Sequence, residues 1–144
     1  MANNRKITAA NSIVIISCDA LGMHRLQGFS ADAITETDGV APVETMQGID
    51  GRLSAGWVPV PIVQNITLMA DSDSNDYMDN LAGYQEQNRE TVILTGSLVL
   101  PAIGKKYAMK RGFLTNYPKF PSVARVLQPR RFQITWERVT PSPS

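Results

Sequence analysis

A chain of 144 residues, 43% hydrophobic and 19% charged, is expected to build one core of ordinary size, with fewer surface charges than the ~25% usual for a soluble protein. One cysteine, Cys18, excludes an internal disulfide and fits a reducing compartment. The net charge of +1 hides an asymmetry: residues 1–90 carry twelve of the thirteen carboxylates and five Lys or Arg, a balance of −7, whereas residues 91–144 carry nine Lys or Arg against Glu137 alone, a balance of +8.

A basic half often marks a nucleic-acid binder, but an acidic half of equal size repels the same phosphates. Two readings fit the asymmetry. The halves can pair within one subunit, or they can lie on opposite surfaces and draw copies together head to tail, a heterologous contact that gives rings or filaments.

The N-terminal MANNRKITAANS has two cations but no apolar segment of signal-peptide length beside it, and no run approaches the ~20 apolar residues of a membrane helix, so a cytoplasmic origin without membrane insertion is expected. Ile13 to Ser17 is a strand candidate, and Leu26 to Thr37 holds one or two more. Cys18, Asp19 and His24 invite a nucleophile–base reading, but a sole cysteine at a strand end is better explained as a small buried hydrophobe.

From Asp38 to Pro61 the period dissolves into DGVAPVETMQGIDGRLSAGWVPVP, rich in glycine and proline yet carrying Val40, Val43, Met46, Ile49, Leu53 and Trp57. That apolar content predicts an extended hairpin, or an arm over about 38–60 that buries these residues against a neighbour. In Pro61 to Met69, Ile62, Ile66 and Leu68 share a strand face with Gln64. Asp71, Asp73 and Asn75 match the opening of a calcium loop, but Asp76 stands where its glycine belongs and Ala82 where its glutamate belongs, so Ser72, Asp73 and Ser74 read better as helix caps. Tyr77, Leu81 and Tyr84, with Met78 beside them, predict an amphipathic helix over about 75–89.

Thr91 to Leu100 alternates around Gly96, a candidate bulge or close approach. The GKK at Gly104 to Lys106 lacks the rest of a phosphate loop and reads as a turn into a strand over Lys105 to Thr115. Phe132, Ile134 and Trp136 alternate with Arg131, Gln133, Thr135 and Glu137 in a half-buried strand, Tyr117-Pro118 and Phe120-Pro121 read as turn anchors, and residues 140–144 read as a short disordered tail after a single domain over 1–139. The residues predict no catalytic centre, cofactor or metal.

Across NITLMADSDSNDYMDNLAGYQEQNRE, ILTGSLVLPAIGKKYAMKRGFLTNYPKFP and QPRRFQITW, the chain resembles the tail tube proteins of contractile-tailed bacteriophages, which are similar to type VI secretion tubes. The resemblance covers roughly Pro61 to Val139 and includes Phe113, Pro118, Phe120 and Pro121 before the final aromatic strand. It implies a mainly-β fold, a tail-tube β-sandwich or barrel with one flanking helix. It also implies hexameric rings stacked into the inner tube of a virion tail, assembled in the host cytoplasm. The implied partners are sheath, baseplate and tail-terminator proteins, with double-stranded DNA passing through the lumen. On this reading the subunit-interface candidates are Val43, Met46, Ile49, Leu53 and Trp57 for apolar burial, Asp71 and Asp73 as anions, and Lys105, Lys106, Lys110, Arg111, Arg125, Arg130 and Arg131 as cations. Two alternatives stay open: a baseplate or terminator adaptor forming a single ring, and a single-strand nucleic-acid binder using the basic half with its aromatic rings.

Overall fold

Period-two alternation decides most of the strands. In the last of them Phe132, Ile134 and Trp136 are fully buried while Arg131 and Glu137 face solvent, as the pleat requires. The computed structural model describes residues 12–27, 35–37, 39–101 and 103–143. In chain order the elements are β1 (Ile13–Cys18), β2 (Gly22–Leu26), β3 (Thr35–Thr37), β4 (Val43–Gln47), β5 (Leu53–Trp57), β6 (Ile62–Leu68), α1 (Ser74–Asn88), β7 (Leu94–Leu100), β8 (Lys105–Asn116) and β9 (Arg130–Pro143).

Seven strands form one antiparallel sheet in the order β2-β1-β7-β8-β9-β6-β3, and β4 and β5 form a separate two-stranded hairpin. The expected mainly-β fold with one flanking helix is what forms. Among the described residues the sheet does not close into a barrel within the subunit; β2 and β3 stand at the ends of its strand order. Tyr77, Met78, Leu81 and Ala82 of α1 join Val14, Ile16, Ile66, Leu68, Leu94, Phe132 and Ile134 in one core. Tyr84, expected on the same stripe, is exposed, because Met78 and Ala82 move the buried face aside from it.

Trp136 is the centre of the sheet. Its indole lies across Gly112, where a Cβ would meet the ring at 2.3 Å, and reaches Gly96, where a Cβ would stand 2.9 Å from the Ile15 carbonyl and 3.1 Å from the ring. Gly96 is therefore a close approach, and the β7–β8 register also shifts there, between Leu94 and Gly96. Arg111, on the strand opposite, takes φ +50°. The Trp136 Nε1–H donates to Gln64 Oε1 at 2.8 Å, and Gln64 Nε2 donates to Thr35 Oγ1 at 2.8 Å, so the polar side chain on β6's apolar face is satisfied and ties the edge strand to the core.

Two expectations change. Asp73 does not cap α1 with its side chain: its backbone is already helical (φ −63°, ψ −24°), and Ser72 Oγ instead accepts the Ser74 N–H at 3.2 Å while donating to the Gln27 carbonyl. Thr140 to Pro143, expected in a free tail, belong to β9 and pair with Lys105 to Ala108. Pro141 and Pro143 stand two apart, so their missing N–H groups fall on one side. That side faces away from β8, beyond the point where β6 pairs with β9.

Candidate functional site

The hairpin is locally well built. Gly48 and Arg52 close a tight turn (Gly48 N–H to Arg52 O 2.9 Å, Gly51 N–H to Gly48 O 2.9 Å), and Gly51 takes the left-handed φ of +83° that a three-residue hairpin loop needs at its last position. Asp50 Oδ1 accepts the Arg52 N–H at 3.0 Å, and the Val58 N–H bonds the Pro42 carbonyl at the base. Cross-strand pairing puts Val43, Trp57, Ala55 and Leu53 on one face with Thr45 and Gln47, and Glu44 and Met46 on the other. Every strand residue of the hairpin is exposed, Trp57 at 71%, and Ile49 projects from the tip. Val43, Met46, Ile49, Leu53 and Trp57 therefore stand together, uncovered, on an isolated hairpin.

At the opposite end of the sheet, residues 117–129 link β8 to β9. The base of this loop is bracketed to α1: Tyr117 Oη donates to Glu86 Oε1 at 2.9 Å, and Lys119 Nζ meets the same oxygen at 2.6 Å. The bond from Lys119, then that from Tyr117, holds the Glu86 carboxyl below its ordinary range, while Glu86 pushes both the phenol and the ammonium up. Further out, a bridge between Val123 and Leu127 folds the loop back on itself. Phe120 is 74% exposed, so it anchors no turn; with Val123, Val126 and Leu127 it makes a second uncovered apolar patch. Sequence reasoning passed over that patch, although VARVL between two prolines shows neither strand nor helix period and so signals exposure.

Arg130 is the clear correction among the charged candidates. It is only 4% exposed, forks onto Asp79 of α1 (Nη1 to Oδ2 3.1 Å, Nη2 to Oδ1 2.7 Å), donates from Nη2 to the Pro118 carbonyl at 2.7 Å and lies over the Phe132 ring at 5.0 Å. A guanidinium committed in this way joins helix, loop and sheet and does not reach a neighbour.

The remaining charges stay on the surface. Arg131 pairs with Glu36 at 3.6 Å and Arg111 with Glu137 at 3.6 Å. Lys105 and Lys106 start β8 beside Pro143 and Ser142, Lys110 lies further along the same strand, and Arg125 caps the 117–129 loop, all exposed. Asp71 and Asp73 are exposed in the turn after β6, at the end where Leu68 pairs with Arg130. The anions and the Lys105–Lys106 pair thus sit at opposite ends of β9, thirteen residues or about 40 Å apart along the strand.

The sheet face turned away from α1 is rich in short polar groups. Ser17 and Thr95 share a 2.7 Å hydrogen bond, Thr115 and Thr135 one of 3.2 Å, and Asn65 Oδ1 accepts from Gln133 Nε2 at 3.4 Å.

Cys18 and His24 do not meet as nucleophile and base. Cys18 is buried with its Sγ 3.7 Å from Tyr77 Oη, whereas His24 stacks on the Tyr77 ring at 4.9 Å and bonds Ser74 Oγ through Nε2 at 3.1 Å. Tyr77 donates to the Gly22 carbonyl at 2.9 Å, and burial, with Cys18 adding to it, pushes its phenol far up. Asn75, the third residue of the calcium-like run, turns its amide back onto the Met69 and Ala70 carbonyls. Among the described residues no three His, Cys, Asp or Glu side chains gather as metal ligands.

Residues 5–140 match the family described as tail fiber protein gp32. The chain belongs to that family. No curated protein matches it. Solved structures give the tail fiber protein gp32 fold its relatives: a chain of an extracellular contractile injection system sheath–tube complex in the extended state (TM-score 0.58, 13% identity, 98% of this chain and 94% of that one). A chain of the anti-feeding prophage baseplate is similar (0.58, 8% identity, 99% and 98%), as is one of that prophage's tube-terminating cap (0.56, 14% identity, 100% and 95%). At these identities it is the fold that is shared, end to end. The family is tail-associated by its description, which is broader than the tail tube protein that the sequence resembles.

Proposed function

We propose that this chain is a structural subunit of a contractile tail that assembles into hexameric rings, which stack into its inner tube. The observation that carries this reading is the open sheet. Strands β2 and β3 stand at the two ends of the sheet order, and a ring of copies joined end to end through them would continue one subunit's sheet into the next. The end-to-end fold shared with a chain of a sheath–tube complex supports it. So does the polar face: hydroxyl and amide side chains, with Arg131 and Arg111 paired to Glu36 and Glu137 and with Arg25 and Lys106 as further exposed cations, suit a lumen that passes DNA with few phosphate contacts. The rings would then meet sheath, baseplate and terminator proteins in a virion tail built in the host cytoplasm.

A second reading, a single-ring adaptor at the baseplate or the tube terminus, is favoured by the equally extensive likeness to baseplate and cap chains. The nucleic-acid-binding alternative keeps little of its platform, because Phe132 and Trp136 are fully buried and Tyr107, Phe113 and Tyr117 half-buried, which leaves Phe120 as the exposed ring of the basic half. Negative-stain electron microscopy across protein and salt concentration tests the proposal. Hexameric rings with a channel support it, stacked rings select the tube, single rings select the adaptor, and a persistent monomer refutes ring formation by this chain alone.

A further inference from the structure

We infer that the 117–129 loop of one copy receives the β4–β5 hairpin of the next copy stacked upon it, a contact that rests on the ring-subunit reading above. Both surfaces are incomplete alone. A two-stranded hairpin with every strand residue exposed is marginal in water, yet this one presents Val43, Leu53 and Trp57 on a single face. The loop exposes Phe120, Val123, Val126 and Leu127 although its base is fastened by Glu86 and Arg130, so its apolar tip is held in place for a partner before any partner arrives.

Charge and topology choose the occupant. The loop contains no carboxylate and exposes Arg125, while the hairpin carries Glu44 and Asp50 against Arg52 alone. The hairpin leaves the sheet where β3 ends and β6 begins, beside Trp136; the loop lies where β9 begins, beside Leu68. In one subunit the two are at opposite ends of the strands. Copies arranged head to tail along the strands bring them together, as a heterologous contact does.

The test is a full-length chain carrying Leu53→Cys and Val123→Cys, oxidised mildly, with each single variant as control; the native Cys18 is buried. A disulfide-linked ladder from the double variant alone is expected. In parallel, Arg125→Glu should weaken stacking about fivefold by sedimentation, and adding Asp50→Arg should restore it. Rings without a ladder, and stacking indifferent to Arg125→Glu, overturn the contact while the ring reading stands. A ladder without closed rings supports the contact and overturns the ring reading, and a monomer without a ladder overturns both.

Discussion

Removing Asp79 should harm this fold more than removing the arginine it binds. Asp79 is about half exposed, at 49%, whereas Arg130 is 4% exposed with Nε already lacking a partner. In Asp79→Ala the guanidinium loses both bonds of its fork and keeps the Pro118 carbonyl and the Phe132 ring. Breaking a buried pair from one side costs about 3–5 kcal/mol, and water entering where the carboxylate stood brings the expectation to the low end, about 3 kcal/mol. In Arg130→Met the charge itself is gone, the apolar stem is largely replaced and Asp79 returns to water, so the loss is about 1 kcal/mol, mostly the Pro118 carbonyl left unpaired. For a chain of this length those values correspond to falls in Tm of about 10 °C and about 3 °C. Thermal and urea unfolding followed by circular dichroism measures both, and the double variant should resemble Arg130→Met alone. If Arg130→Met proves as destabilising as Asp79→Ala, the argument from burial asymmetry is wrong.

Gly112→Ala should cost about 1–3 kcal/mol, because the new methyl overlaps the Trp136 ring at 2.3 Å and that ring is pinned by Gln64; an unchanged Tm by tryptophan fluorescence would show that the ring can shift. The Glu86 bracket should open in acid. Its folded pKa is lowered from the ordinary 4.5, so its contribution is full above that value and is lost as pH falls through the lower folded value. Pepsin cleavage within the 117–129 loop, divided at each pH by the rate on the unfolded chain, should accelerate over that range in the native chain and stay level in Glu86→Gln; equal pH dependence in both would place the acid-sensitive group elsewhere.

Where side chains meet only near neighbours, the sequence was legible. Alternation located β6 and β9, the apolar run among glycines located the hairpin, and Gly96 showed its close approach through its place in an alternating strand. Arg130 was half legible: it shares parity with Phe132, Ile134 and Trp136 and so had to face the core, but its partner lies 51 residues away on a helix, which no local pattern reveals. The prolines of the 117–129 loop predict a pair of turns, whereas its exposure depends on bracketing by Glu86 from another element.

The sequence asymmetry of charge now divides into two parts with different consequences. Among the described residues, three of the four ion pairs, Lys119–Glu86, Arg130–Asp79 and Arg131–Glu36, join the basic half of the chain to the acidic half inside one subunit. The buried Arg130 pair is the one among them that fixes geometry, since exposed pairs contribute little. Among the exposed charges outside these pairs, Lys105 and Lys106 lie at one end of β9, on whose side the hairpin with Glu44 and Asp50 leaves the sheet, and Asp71 and Asp73 lie near the other, where Arg125 also stands. Charges separated by several Debye lengths cannot stabilise each other within the subunit at physiological salt. In the proposed stack a head-to-tail arrangement along the strands turns Lys105 and Lys106 of one copy towards Asp71 and Asp73 of the next, and the hairpin's Glu44 and Asp50 towards Arg125. On that proposal the exposed charges favour the head-to-tail order, and the apolar hairpin and loop supply the adhesion. Raising salt should in consequence blunt the directionality of assembly more than it weakens the contact itself.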